Sequence, residues 1–148
     1  MQVKLLIAIF LVYFAVPGWH SDLQEAKQIA EKEHRHILLN FSGSDWCGPC
    51  IRMHDEIFES EVFKKMADTD LVLLNADFPR KKKNQLPPRQ QEINNRIADQ
   101  YNSSGKFPYT LLLDEKGKIL KEWDGLPNMT AEAFTIEVRN GIYADRKK

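Results

Sequence analysis

Residues 46–50 read Trp46-Cys47-Gly48-Pro49-Cys50, and they contain both cysteines of the 148-residue chain. The preceding run Ile37-Leu38-Leu39-Asn40-Phe41 predicts a buried strand, because strands at the centre of a sheet are apolar on both faces. From Cys47 to about Phe58 the spacing of apolar residues predicts a helix. Pro49 suits the first turn of this helix, where a backbone N–H would have no partner. The sequence therefore places a cysteine pair where a strand passes into a helix.

This position suits Cys47 for nucleophilic chemistry. A helix N-terminus offers unpaired N–H groups and the positive end of the helix dipole, and both favour a thiolate. Such a placement, or a C-x-x-C pair, lowers the pKa of a cysteine from about 8.5 towards neutrality or below. The three-residue spacing brings Cys50 within reach of Cys47, since disulfides join Cα atoms about 4.4–6.8 Å apart. We expect Cys47 to attack a substrate disulfide and Cys50 to resolve the mixed disulfide.

Two other roles for the cysteine pair are weaker. A structural disulfide that closes so short a loop restricts the unfolded chain little, and small secreted proteins usually use more cysteines. A zinc site needs about four ligands. Only His54 lies close to the pair in sequence, since His20, His34 and His36 are scattered. We therefore expect no metal and no added cofactor, with the disulfide itself as the redox group.

The N-terminus predicts export. Met1-Gln2-Val3-Lys4 carries one cation, and Leu5 to Val16 is an unbroken apolar run before Pro17-Gly18. These features are typical of a secretory signal peptide. The run is shorter than the roughly 20 residues that span a bilayer. We assign residues 1–18 to a signal peptide and 19–148 to the mature domain. An uncleaved anchor or a buried strand is the alternative.

The chain length predicts one domain. The 21 basic and 21 acidic residues give a formal net charge of zero. Nothing in this balance favours nucleic acid or an anionic membrane as a partner. We expect a monomer.

The remaining periodicities predict an α/β fold with a mixed central sheet of about four to five strands and helices on both faces. A polar, Pro-containing stretch at residues 79–91 predicts an insertion loop. The other predicted elements are helices from Asp22 to about Lys32, Glu59 to Ala67, Glu92 to Tyr101 and Thr130 to about Tyr143, and strands Leu71 to Asp77, Tyr109 to Leu113 and Ile119 to Trp123.

Residues 46–50 are identical to the active-site pentapeptide of thioredoxins, and Phe107-Pro108-Tyr109-Thr110 resembles the second signature of that family. The resemblance covers roughly residues 22–142 and implies the thioredoxin fold and thiol–disulfide oxidoreductase activity on disulfide-containing proteins. It implies that Pro108 is cis and lies beside the cysteine pair. It also implies that Phe107 flanks a substrate groove, to which Trp46, Gly48 and Pro49 contribute.

A subgroup resemblance rests on Phe41-Ser42-Gly43-Ser44-Asp45-Trp46-Cys47 and on Asp77-Phe78-Pro79. Both are similar to exported bacterial oxidoreductases of the DsbH type, which implies the periplasm or another secretory space. Gly48-Pro49 implies the reducing end of the family, with electrons from a separate donor such as a membrane thiol reductant. The alternatives are an isomerase or oxidase, or a client-binding module with secondary redox activity.

The chain departs from thioredoxins at Asn40, where they place a buried aspartate that relays protons to the second cysteine. Asparagine does not titrate. Asp45, water or another carboxylate serves Cys50 instead, or resolution of the mixed disulfide is less assisted.

Two further features each allow two interpretations. The run from Arg80 to Lys83 either recognises acidic partners or is merely solvated, and His54 either tunes the cysteines or lies at the surface.

Overall fold

We describe a computed structural model of the protein over residues 18–148. The predicted signal peptide lies, apart from Gly18, outside the described residues. Within residues 18–148, no helix has both the length and the apolar character that crossing a bilayer demands.

A four-stranded mixed sheet forms the centre of the fold, in the order β2-β1-β3-β4. The strands are β1 (His36–Ser42), β2 (Leu71–Asp77), β3 (Tyr109–Leu113) and β4 (Ile119–Asp124). β1 and β2 are parallel because helices connect them, whereas β3 runs antiparallel to both β1 and β4. The predicted mixed sheet is confirmed.

Within residues 18–148, five α-helices surround the sheet: α1 (Leu23–Glu33), α2 (Gly48–Arg52), α3 (Glu61–Asp70), α4 (Pro88–Tyr101) and α5 (Ala131–Arg146). Side chains cap the N-termini of α1, α3 and α5. Those of Asp22, Ser60 and Thr130 each accept a hydrogen bond from the backbone N–H of the residue three positions later. Such caps satisfy donors that the helix itself leaves unpaired.

The predicted end of the helix after Cys47 is confirmed at Phe58, although its type changes along the way, whereas the bounds of three other helices differ from the prediction. The helix after Cys47 is α-helical only to Arg52 and continues as a π-helical turn over Met53–Phe58. α3 covers Glu61–Asp70 rather than Glu59 to Ala67. α4 begins at Pro88 rather than Glu92, because a proline fits the first helical position, so the insertion is shorter than 79–91. The insertion also contains a 3₁₀ turn over Lys82–Asn84. α5 extends to Arg146.

The sheet separates two apolar cores. Strand residues alternate between faces, so Ile37, Leu39 and Phe41 of β1 belong to the core that includes residues of α1 and α4. Leu38 belongs to the opposite core, with residues of the π-helical turn, α3 and α5. Both faces are covered, as predicted, and Asn40 shares the face of Leu38.

Candidate active site

The cysteine pair lies at the N-terminus of α2, after the loop that leaves β1. Cys47 is the N-cap residue, and its Cα lies 5.2 Å from that of Cys50, to which it is disulfide-bonded. The backbone N–H of Cys50 donates to Cys47 Sγ over 3.3 Å. Both cysteines are buried, whereas Gly48 and Pro49 between them are exposed. The predicted strand-to-helix placement is confirmed.

The Phe107–Pro108 peptide bond is cis, as the resemblance implied. Pro108 immediately precedes β3, whose first residue Tyr109 pairs with Phe41 of β1. The segment therefore lies beside the end of β1, from which the cysteine loop leaves. Phe107 reaches the same region, since its ring centroid lies 5.4 Å from that of Trp46 in an edge-on arrangement.

Trp46, Phe78 and Phe107 form an aromatic wall beside Cys47. Trp46 Nε1 donates to the carbonyl oxygen of Phe78 over 2.8 Å, and the rings of Phe78 and Phe107 lie 5.6 Å apart. The guanidinium of Arg80 lies 3.5 Å from the centre of the Trp46 ring. Any Cβ at residue 43 would overlap the indole, so Gly43 is needed for this close approach.

Asp45 holds the loop that follows β2. Its Oδ1 accepts the N–H of Arg80 over 2.9 Å, and its Oδ2 accepts the N–H of Lys81 over 2.9 Å and Nδ2 of Asn84 over 3.0 Å. These bonds, led by the one from Arg80, lower the pKa of Asp45. Its hydrogen bonds thus go to the loop rather than to either cysteine. The proton-relay role stays a prediction.

A cavity of about 420 Å³ opens on the Cys50 side of the pair. The residues that line it are Trp19, Asn40, Ser42, Ser44, Cys50, Ile51, His54, Asp55, Phe58 and Asn75. Its walls combine apolar surface with polar side chains, and the polar side chains offer the hydrogen-bonding partners that water in a cavity of this size needs.

Asn40 lines this cavity and is only 6% exposed. Its Nδ2 donates to Asn75 Oδ1 over 3.1 Å, and its Oδ1 accepts from Thr110 Oγ1 over 3.0 Å. The amide thus has a partner on each side, and none of these three side chains is ionised at neutral pH.

His54 and Asp55 line the same cavity from the π-helical turn. The His54 side chain is 53% exposed, and its Nδ1 lies 3.0 Å from Asp55 Oδ1. Sequence reasoning missed Asp55 and Asn75. Asn75 could have been found by aligning the two parallel strands, because it pairs with Asn40 in register.

The geometry supports thiol–disulfide exchange. Cys47 has the helix N-terminus behind it and is bonded to Cys50, while an aromatic wall borders Cys47 and a cavity borders Cys50. Among residues 18–148 there is no group of three or more histidine, cysteine or acidic side chains suited to holding a metal ion.

Comparison with known proteins agrees with this geometry. Residues 18–114 match the family described as Thioredoxin-like. The chain is 39% identical over 124 residues to the disulfide bond reductase DsbH of Chlamydia pneumoniae, covering 84% of this chain and 72% of that protein. A solved structure of a DsbH oxidoreductase superposes with a TM-score of 0.77 at 31% identity, covering 96% and 95% of the two chains. The thioredoxin of Thermus thermophilus, at 17% identity and a TM-score of 0.57 over 82% of this chain and 84% of that one, shares the fold.

Proposed function

The chain belongs to the thioredoxin-like family and is a thiol–disulfide oxidoreductase, and from this premise we propose that it reduces disulfides of exported proteins. The cysteine geometry supports the exchange chemistry through Cys47, because Cys47 caps a helix N-terminus and the N–H of Cys50 points at its sulfur. Both features stabilise the negative charge of a thiolate at Cys47 rather than at Cys50.

The reaction starts from the dithiol. The Cys47 thiolate attacks one sulfur of the substrate disulfide, and the other substrate sulfur leaves as a thiolate that takes up a proton. Cys50 then loses its proton and attacks Cys47 Sγ, which breaks the mixed disulfide and releases the second substrate thiol. Two electrons pass from the protein dithiol to the substrate, and the Cys47–Cys50 disulfide remains. No added cofactor is needed.

The reducing direction and the compartment rest on sequence and on relatives. Gly48-Pro49 separates the cysteines, and the similar Chlamydia protein is described as a disulfide bond reductase. The apolar run from Leu5 to Val16 supports export to the periplasm or another secretory space. There a separate thiol donor, of the membrane-bound kind, regenerates the dithiol.

The reduction potential of the Cys47–Cys50 pair tests the direction. We would equilibrate the protein with glutathione and dithiothreitol buffers and quantify the two redox forms. We expect a value near the −270 mV or so of thioredoxin. A value near −180 to −120 mV, the range of protein disulfide isomerase and DsbA, would instead make the protein an isomerase or oxidase.

Export and oligomeric state need separate measurements. Residues 1–18 fused to a reporter that is active only outside the cytoplasm are expected to export it, and retention of the fusion would contradict the assignment. Light scattering of the mature domain is expected to give a monomer, whereas a dimer would favour an isomerase.

A further inference from the structure

A block of four basic residues, Arg80-Lys81-Lys82-Lys83, follows the aromatic wall in the chain. All four side chains are exposed, in a protein whose formal net charge is zero. Within residues 18–148, none of them forms an ion pair with a carboxylate. We call this block the basic loop. Its charge is therefore available to a partner.

The basic loop is held in place next to Cys47. Asp45 accepts hydrogen bonds from the backbone of Arg80 and Lys81 and from the side chain of Asn84. Gln85, two residues after the basic loop, also ties the segment together, because its Nε2 donates to the carbonyl oxygen of Pro79 over 3.0 Å. Repulsion between like charges favours an extended segment. The hydrogen bonds to Asp45 oppose this tendency and keep the basic loop beside Trp46, which a merely solvated loop would not require.

Arg80 connects the charge to the catalytic sulfur. Its guanidinium stacks 3.5 Å above the ring of Trp46, the residue directly before Cys47. Stacking on an aromatic face leaves the N–H groups at the edge of the guanidinium free to form paired hydrogen bonds with a carboxylate. A peptide whose cysteine reaches Cys47 must pass its neighbouring residues close to this group.

The charges on the opposite side of the cysteine pair are largely paired. The π-helical turn and the residue after it carry Asp55, Glu56 and Glu59, of which Glu56 pairs with Arg52 and Glu59 lies 3.9 Å from Lys64 Nζ. Asp55 and Glu59 also lie beside His54. A substrate therefore meets its strongest positive charge at the basic loop, which favours an orientation that places acidic residues there.

We propose that the basic loop binds acidic side chains next to the cysteine of the substrate disulfide, so that the enzyme prefers disulfides flanked by aspartate or glutamate. The proposal rests on the proposed reductase function and adds a substrate class to it. A single exposed charge pair contributes little to binding. Several together correspond to roughly a tenfold preference at low salt, which added salt screens.

The test uses two disulfide peptides of the same length that differ only in flanking residues, Asp and Glu in one and Asn and Gln in the other. The pre-reduced mature protein is mixed with excess peptide in a single turnover, and the second-order rate constant is measured. The expected ratio of acidic to neutral peptide is about ten at low ionic strength and about two near 0.5 M salt.

Two triple variants, each of which removes three positive charges, distinguish a local effect of the basic loop from an effect of the protein's net charge. In Lys81→Ser/Lys82→Ser/Lys83→Ser the ratio is expected to fall to about two, with the remainder due to Arg80. In Arg146→Ser/Lys147→Ser/Lys148→Ser, at the end of α5, it is expected to stay near ten. Equal rate constants for both peptides in the native protein, or an undiminished ratio in the lysine variant, would overturn the proposal. Failure to reduce either peptide would overturn the reductase function itself.

Discussion

The two cysteines of the active site lie in different surroundings, although only three residues separate them. On the Cys47 side, Trp46 is fixed by a hydrogen bond, an aromatic edge contact and a stacked guanidinium. On the Cys50 side, a cavity of about 420 Å³ with mixed polar and apolar walls replaces close packing. The attacking sulfur thus borders a rigid surface, whereas the resolving sulfur borders a space that water can fill.

This difference follows the two steps of the reaction. Attack on a substrate requires a partner to be positioned, and stacked, hydrogen-bonded side chains provide a fixed surface for it. Resolution requires a proton to leave Cys50, and the polar side chains on the wall of the cavity are the groups nearest to hand that can accept it. Asn40 is neutral and bonded on both sides, so the titratable side chains that line the cavity are His54 and Asp55.

Replacing the cysteines one at a time should give the largest difference between the two sides of the site, in the amount of mixed disulfide that forms. Cys50→Ser is expected to form a mixed disulfide through Cys47 and then stop, because no thiol remains to resolve it. Cys47→Ser should form none, since Cys50 lies within the first turn of α2 and lacks the N-cap position that favours a thiolate at Cys47. Both variants should lose multiple turnover. Mass spectrometry of variants mixed with a substrate disulfide measures the adduct, and an adduct at Cys50 of the Cys47→Ser variant would reverse the assigned roles.

Gly43→Ala should displace the Trp46 ring on the Cys47 side without changing the cavity on the Cys50 side. Its Cβ would overlap the Trp46 indole, so the ring must leave its position between Arg80 and Phe107. Overpacking of this kind costs about 1–3 kcal/mol of unfolding free energy, which urea denaturation measures. Gly48→Ala is the matched control for stability, because open space surrounds that position. Equal stability of the two variants would show that the indole moves freely.

Asn40→Asp should change the Cys50 side by restoring an ionisable group. The carboxylate can still accept from Thr110, and Asn75 can rotate its amide to donate, so the cost should be about 1 kcal/mol at pH 7. Burial raises the pKa of such an aspartate. The stability penalty is therefore absent below its unfolded pKa of about 3.9 and grows as pH rises through the raised value.

The same variant should add a titration step to the resolving rate, measured by stopped-flow decay of the mixed disulfide across pH. Asn94→Asp is the control, since Asn94 is a buried asparagine that does not line the cavity. It should destabilise the fold without altering this pH profile. An identical profile for Asn40→Asp and the native protein would mean that position 40 has no part in proton transfer.

The sequence predicted the features that depend on neighbouring residues. Strand Tyr109–Leu113, in which every residue but Thr110 is apolar, was predicted to the residue, and the cysteine pair and Pro108 are local motifs. The features it missed depend on tertiary pairing. Asp45 meets Arg80 from 35 residues away, and Asn75 joins the cavity only through the register of two strands. The start of α4 was missed because Pro88 is as typical of loops as of first helical turns.

The smallest expected effect concerns Asp45, which the sequence suggested as a proton relay for Cys50 and which the structure shows bonded to the basic loop. Asp45→Asn leaves only one oxygen for three donors, so the loop should loosen and trypsin should cut after Arg80 to Lys83 several times faster. The lowered pKa of Asp45 keeps it ionised, and the loop held, in all media above its ordinary value of 3.8. In the native protein, cleavage by an acid-tolerant protease should therefore rise only as pH falls below that value, where the carboxylate takes up its proton. An unchanged trypsin pattern together with a slower resolving step would favour the relay instead, and would place Asp45 on the Cys50 side of the comparison.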